Sequence, residues 1–423
     1  MTSPLPPHKN TDQNSTQSSF WHTFSCAPHR LFFFSGAIQL IVPLLLWSIE
    51  LIGRYTHIWS PINTIIPSTW AHGFIMIYGL FVFFIMGFLF TVFPRWMNTA
   101  SIEKEQYIAP FIWLNLGLLI FEFSLFFNAS SMLSGLGMFL FGWLNGIAIL
   151  YKTLKNAPAK NKRYETIILS ALSFGAFGVA CYGWWIVSDN WLFMQLAITF
   201  GIWLYLVPLL FTVSHRMLPF FSSNIIEHYT LFQPASTLWI FLVGCIAHVT
   251  LSINNQNQWL FLADIPLAAV ALLHTIRWQI QRSFKDRLLA VLHMAFFWLF
   301  IGLSLFSIQS LVLQISGEHI LGRSPLHALS IGFFASMLIA MASRVTMGHS
   351  GRMLVLDKMS WGLFIGLQLA AVTRVLSDLL FDSLLISNNL NLIAAGLWLI
   401  SLSIWFVKYA PIYLSRRVDG REG

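Results

Sequence analysis

Apolar residues in this chain do not alternate with polar ones, and they do not follow a single helical stripe. They run together in long blocks that are greasy on every side, as in FIMIYGLFVFFIMGFLFTVF at 74–93. A lipid core about 30 Å thick takes about 20 helical residues. Windows of that size predict twelve spanning helices, near 31–53, 68–92, 107–127, 131–151, 166–188, 190–212, 236–254, 257–277, 287–314, 325–343, 358–382 and 386–410. The gaps at 128–130 and 254–256 are so short that the helices they join must be antiparallel neighbours. The pattern therefore predicts an all-α fold, a polytopic membrane bundle with lipid as its main partner.

Composition agrees: 57% of the 423 residues are hydrophobic and 9% are charged, against roughly 25% charged in soluble proteins. A membrane β-barrel would show segments of about 10 alternating residues, and these blocks exclude it. Residues 29–410 read as one membrane domain, 1–28 as a polar disordered tail with no signal-peptide core, and 411–423 as a basic tail. Asn14-Ser15-Thr16 fits a glycosylation pattern, which means nothing on a cytoplasmic tail. Cys26, Cys181 and Cys245 are too scattered for a thiolate metal site or a disulfide framework, and read as small apolar packers.

The basic residues orient the bundle. Of the 24 Lys and Arg, 21 fall in the tails and connections on the side of the N-terminus, while Arg54 and Arg323 fall on the other and Arg374 within a helix. This asymmetry places both termini in the cytoplasm. It also accounts for the net charge of +8 as membrane-flanking charge facing anionic lipid, with no call on nucleic acid.

A faint internal echo runs along the chain. FTVFPRWM at 90–97 and FTVSHRML at 211–218 both close even-numbered helices, and ASRVTM carries Arg344 at the corresponding end of the tenth. The spacing of Arg95, Arg216 and Arg344 is four helices each time, which suggests three four-helix repeats.

Ionisable groups inside a membrane are costly, so each is a candidate for function. His72 and His327 fall near the outer ends of the second and tenth helices, at one depth. Two neutral imidazoles so placed can ligate a haem iron from opposite sides. His215 and His349 fall near the cytoplasmic face beside Arg216, Arg344 and Arg352. Imidazole suits copper, zinc and iron, and the planar arginine donors suit carboxylates, including haem propionates. From His327 to His349 is roughly 33 Å of helix, so these two cannot share a metal; the tenth helix would serve two sites.

Other polar residues have blander readings. His248, His274 and His293 read as packers between helices, and His8, His22, His57, His228 and His319 as solvated. His29, just before the first helix, reads as a headgroup contact within reach of the cytoplasmic site. Arg374 and Asp378, four apart, predict an ion pair on one helix face. Glu50, Glu122 and Asp264 read equally as a polar path from the outer side or as snorkelling acids. Many of the 18 Trp sit near helix ends, as interfacial belts do, and the 39 Phe serve as packing. No phosphate-loop or dinucleotide signature appears.

HALSIGFFASMLIAMASRVTMGHSGR at 327–352 closely resembles the signature of the NnrS family, bacterial membrane proteins that contain haem and copper and are linked to nitric oxide stress and denitrification. HRLFFFSGAIQLIVPLLLW at 29–47, GFLFTVFPRWM at 87–97 and RMLPFFSSN at 216–224 resemble it too. The resemblance implies twelve helices, a bacterial inner membrane, haem b and copper. His327, Arg344, His349, Gly351 and Arg352 fall on the family's last motif, and Arg216, Pro219 and Phe220 on its central one. His72 matches the first histidine of a His-x-His-Glu cluster, but Phe74 and Ile75 stand at its next two polar places. That departure bears on copper more than on haem, and His215 offers a substitute imidazole.

Two further function classes fit the same residues. A twelve-helix transporter of a metal, haem or other small solute would use the histidines and buried acids as pathway groups. A structural or assembly factor would use them only for packing.

Overall fold

The computed structural model describes residues 20–380 and 383–421. Twelve helices in it are long and apolar enough to cross a membrane: α1 (Pro28–Thr56), α2 (Ser68–Met97), α3 (Lys104–Ser124), α4 (Ala129–Asn156), α5 (Arg163–Ser188), α6 (Trp191–Ser223), α7 (Ala235–Ile253), α8 (Asn257–Arg277), α9 (Arg287–Ser316), α10 (Ser324–His349), α11 (Lys358–Leu379) and α12 (Leu384–Leu414). There is no strand among the described residues. An even number of spans leaves both ends of the chain on one face, called here the terminal face. The expected tail at 1–28 falls mostly outside the described residues, and Phe20–Ser25 form a short helix ahead of α1.

Local chemistry sets the helix starts. Asn128, Asp286 and Asp357 cap α4, α9 and α11, each accepting from a backbone N–H three residues on. Glu103 and Gln106 form a reciprocal capping box on α3. Several helices continue past the apolar windows on the terminal face. α2 reaches Met97, α6 reaches Ser223 and α10 reaches His349, because hydropathy marks only the lipid-immersed part of a helix. His215, Arg216, Arg344 and His349 consequently project from helix rather than from connections.

The helices α2, α6 and α10 are the most buried spans. Each is interrupted by a π segment: Ile75–Gly79, Gly201–Leu206 and Ala328–Ala335. The interruptions recur four helices apart, the same interval as Arg95, Arg216 and Arg344, so the threefold echo in the sequence has a structural counterpart. Side-chain donors add to the backbone bonds on carbonyls beside or within two of these segments. Tyr78 Oη donates to the Ala197 carbonyl at 2.5 Å, and Ser336 Oγ donates to the Ile331 carbonyl at 3.1 Å. Around this centre, α3 packs on α4 through glycines. A Cβ on Gly135 would meet the Phe121 nitrogen at 2.6 Å, and one on Gly142 the Leu114 nitrogen at 2.7 Å. Close backbone approach of this kind is how helices associate without a hydrophobic driving force.

Candidate functional site

A cavity of about 450 Å³ opens between α1, α2, α6, α10, α11 and α12, in the half of the bundle away from the terminal face. His72 and His327 both line it, as their matched depth in the sequence predicts. Each stands just before a π segment, three residues ahead in α2 and immediately ahead in α10. The volume lies in the range of cofactor-sized pockets, and the wall is mostly apolar with a few convergent polar groups.

The two imidazoles are held differently. His327 Nδ1 lies 3.0 Å from the Arg323 carbonyl oxygen and 3.6 Å from Asp378 Oδ2. A carbonyl can only accept, so the proton sits on Nδ1 and the lone pair on Nε2. That is the arrangement that prepares a histidine to ligate a metal. His72 lies flat against Trp47, with ring centroids 4.2 Å apart at 12°. No group among the described residues hydrogen-bonds its ring.

Three guanidiniums share the wall: Arg54, Arg323 and Arg374. Arg54 donates to Glu50 Oε1 at 2.7 Å and to Ser68 Oγ at 2.6 Å. The expected Arg374–Asp378 pair is present at 2.8 Å, and it ties Asp378 to the surroundings of His327. The sequence reading assigned carboxylate recognition to Arg216, Arg344 and Arg352, and none of these lines the cavity. In the sequence Arg54 and Arg323 stand out only as the two charges on the less basic side, with nothing to mark them as cavity residues.

The terminal half of the bundle holds two separate histidine pairs. His349 stands against His29, with centroids 4.8 Å apart, and Arg95 and Arg417 lie within electrostatic reach of both rings. His29 is buried and its Nδ1 has no partner, so it is no headgroup contact. His215 stands against His274, with centroids 5.1 Å apart. The expected grouping of His215 with His349 is therefore replaced by these two pairings. Arg216 is ion-paired with the buried Glu165 and lies over Trp96 at 4.4 Å. Arg344 lies over Phe221 at 3.9 Å, and one terminal nitrogen each of Arg344 and Arg352 lacks a partner.

Polar groups read as packers or snorkelling acids are paired internally. His248 is bound to Asp264, Glu50 to Arg54, and Glu122 faces Gln39 at 3.5 Å. His293 has the bland role, bonded to Ser222 Oγ at 3.0 Å. His248 also borders a second cavity of about 330 Å³, with Trp203 and His319, which shares Ile198, Ile202 and Leu326 with the first.

A family model described as NnrS protein matches residues 23–417, almost the whole chain. No curated protein matches it.

Proposed function

Because the chain belongs to the NnrS family, we propose that it is a haem-binding membrane protein in which His72 and His327 ligate one haem b within the 450 Å³ cavity. The observation that carries the reading is the Nδ1–H of His327 held on the Arg323 carbonyl, which turns a lone pair on Nε2 toward a cavity that His72 also lines. Arg323, together with the N–H groups that Glu50 and Asp378 leave free on Arg54 and Arg374, offers planar donors for propionates. Trp47, Phe74, Phe81 and Trp398 supply an apolar wall for a macrocycle. Bound there, haem would supply an iron able to take small diatomic ligands and to exchange an electron.

We read its physiological role as protection from nitric oxide or service in denitrification, in the inner membrane of a bacterium, a reading that membership of the family supports. The basic residues gathered on the terminal face support a cytoplasmic position for both ends of the chain. Purified protein should show a Soret band that is lost in His327→Ala and in His72→Ala. Colourless wild-type protein that conducts a solute across liposomes would replace this reading with the transporter.

A further inference from the structure

We propose that His248, backed by Asp264, is a proton-loading site: through the second cavity it draws a proton from the water outside the face opposite the terminal face when an electron is delivered to the first cavity. The inference rests on the haem reading above, which supplies the electron acceptor.

The second cavity is a vestibule. Asn257, at the start of α8, and His319, between α9 and α10, stand exposed at its mouth. It then runs inward past Ser252 and Ser310 to Trp203, His248 and Phe306. From Phe306 to the end of α9 at Ser316 is roughly 15 Å of helix, so the floor lies well inside the membrane. A space of about 330 Å³ bordered by hydroxyls and amides is roomy and polar enough to hold water. Ile198, Ile202 and Leu326 line both cavities, so one layer of side chains separates that water from the first.

The imidazole is set up to exchange a proton with this water. Its Nδ1 meets Asp264 Oδ1 at 2.6 Å, and an ionised carboxylate can only accept, which leaves the lone pair on Nε2. Nε2 has no hydrogen bond among the described residues and is not sealed from the cavity that the ring lines. Oδ2 of Asp264 is sealed and has no partner, so among the described residues the imidazole is the one counter-charge the carboxylate can have. Protonation at Nε2 therefore completes an ion pair in place and creates no lone buried charge. Trp203 and Phe306, from α6 and α9, hold the ring without bringing a charge of their own. Cys245, on α7 itself, is the other titratable group near Asp264, and His319 stands at the exposed mouth.

An electron placed in an apolar pocket brings a charge that the surroundings screen weakly. A proton taken up nearby offsets it. The carboxylates beside the first cavity are committed, Glu50 to Arg54 and Asp378 to Arg374. His248 has both an open nitrogen and a route to water. The balance on reduction is one electron from an external reductant to the iron and one proton from the vestibule to Nε2.

Redox titration of the purified haem-loaded protein in a spectroelectrochemical cell tests the site. The midpoint potential should fall as pH rises across neutrality, by up to about 59 mV for each tenfold drop in proton concentration, the limit of one proton per electron. His248→Gln keeps a polar side chain beside Asp264 but carries no proton, and should at least halve that slope while the Soret band stays in place. A merely structural role would move the potential alike at every pH and leave the slope unchanged. Reduced-minus-oxidised infrared spectra of wild-type protein with nitrogen-15 histidine give a readout that needs no variant to fold, and should show an imidazolium forming on reduction. Haem-loaded protein with no such signal, or a slope that His248→Gln leaves intact, would overturn the proton site alone. Protein that binds no haem would overturn the haem reading and this inference with it.

Discussion

Nδ1 of His248 lies 2.6 Å from Oδ1 of Asp264, joining α7 to α8. Both side chains are almost wholly removed from solvent, and the imidazole stacks on Trp203 with centroids 3.4 Å apart. A buried pair of this kind is stable as a pair and costly as halves. Asp264→Leu should lower stability by about 3–5 kcal/mol, and His248→Phe combined with it should recover much of the loss. Thermal unfolding of the single and double variants in detergent measures the coupling. Additive losses would show that the two residues do not depend on each other.

Asp378 faces His327 Nδ1 without forming a full hydrogen bond, and is itself held by Arg374. Removing it in Asp378→Ala should leave the cavity intact while loosening the His327 ring. Haem affinity is expected to fall about 10–100-fold, read as haem loss to apomyoglobin. An unchanged transfer rate would assign His327 orientation to the Arg323 carbonyl alone.

The glycine contacts between α3 and α4 leave no room for a methyl group. In Gly135→Ala, the added carbon would press on the backbone of Phe121 and Gly117. A loss of about 1–3 kcal/mol is expected, the usual range for overpacking. Gly137 has open space at its Cβ position and makes the control, because Gly137→Ala should be neutral or stabilising.

Asp357 separates a cap from an ion pair. Its Oδ1 accepts from Ser360 N at 2.9 Å, and its carboxylate meets Lys408 Nζ at 2.6 Å. The hydrogen bond from Lys408 is the main reason its carboxyl is held at about 2, against about 3.9 in an unfolded chain. The sign follows: this stabilisation is complete above about pH 4 and is lost as pH falls through about 2. Asp357 is more than half exposed, so Asp357→Asn should cost under about 1 kcal/mol. Asp357→Ala also loses the cap and should cost about 1 kcal/mol more.

How much of this was legible beforehand depended on range. Twelve spans, the shared depth of His72 and His327, and the Arg374–Asp378 pair all follow from local pattern or from counting helices. The partners of His215 and His349 do not. His274 and His29 are remote in sequence, and only packing of α8 on α6 and of α1 near α10 brings them alongside. His248 looked like a lone packer because Asp264 lies across a helix hairpin, where spacing alone does not reveal which faces meet. Arg216, on a family motif, drew attention as a cofactor contact, yet Glu165 claims its charge. The π segments were invisible for another reason. An i to i+5 bond leaves no mark on hydropathy when every neighbouring residue is apolar.

Those segments set the phase of the helices that carry them. Each α-helical residue turns the chain by about 100°, so one extra residue in a turn rotates everything before it relative to everything after. In α2 and α10, the histidines stand on one side of that offset and Arg95 and Arg344 on the other. With a residue removed from Ile75–Gly79, His72 would swing about a quarter turn away from the cavity while Arg95 kept its place.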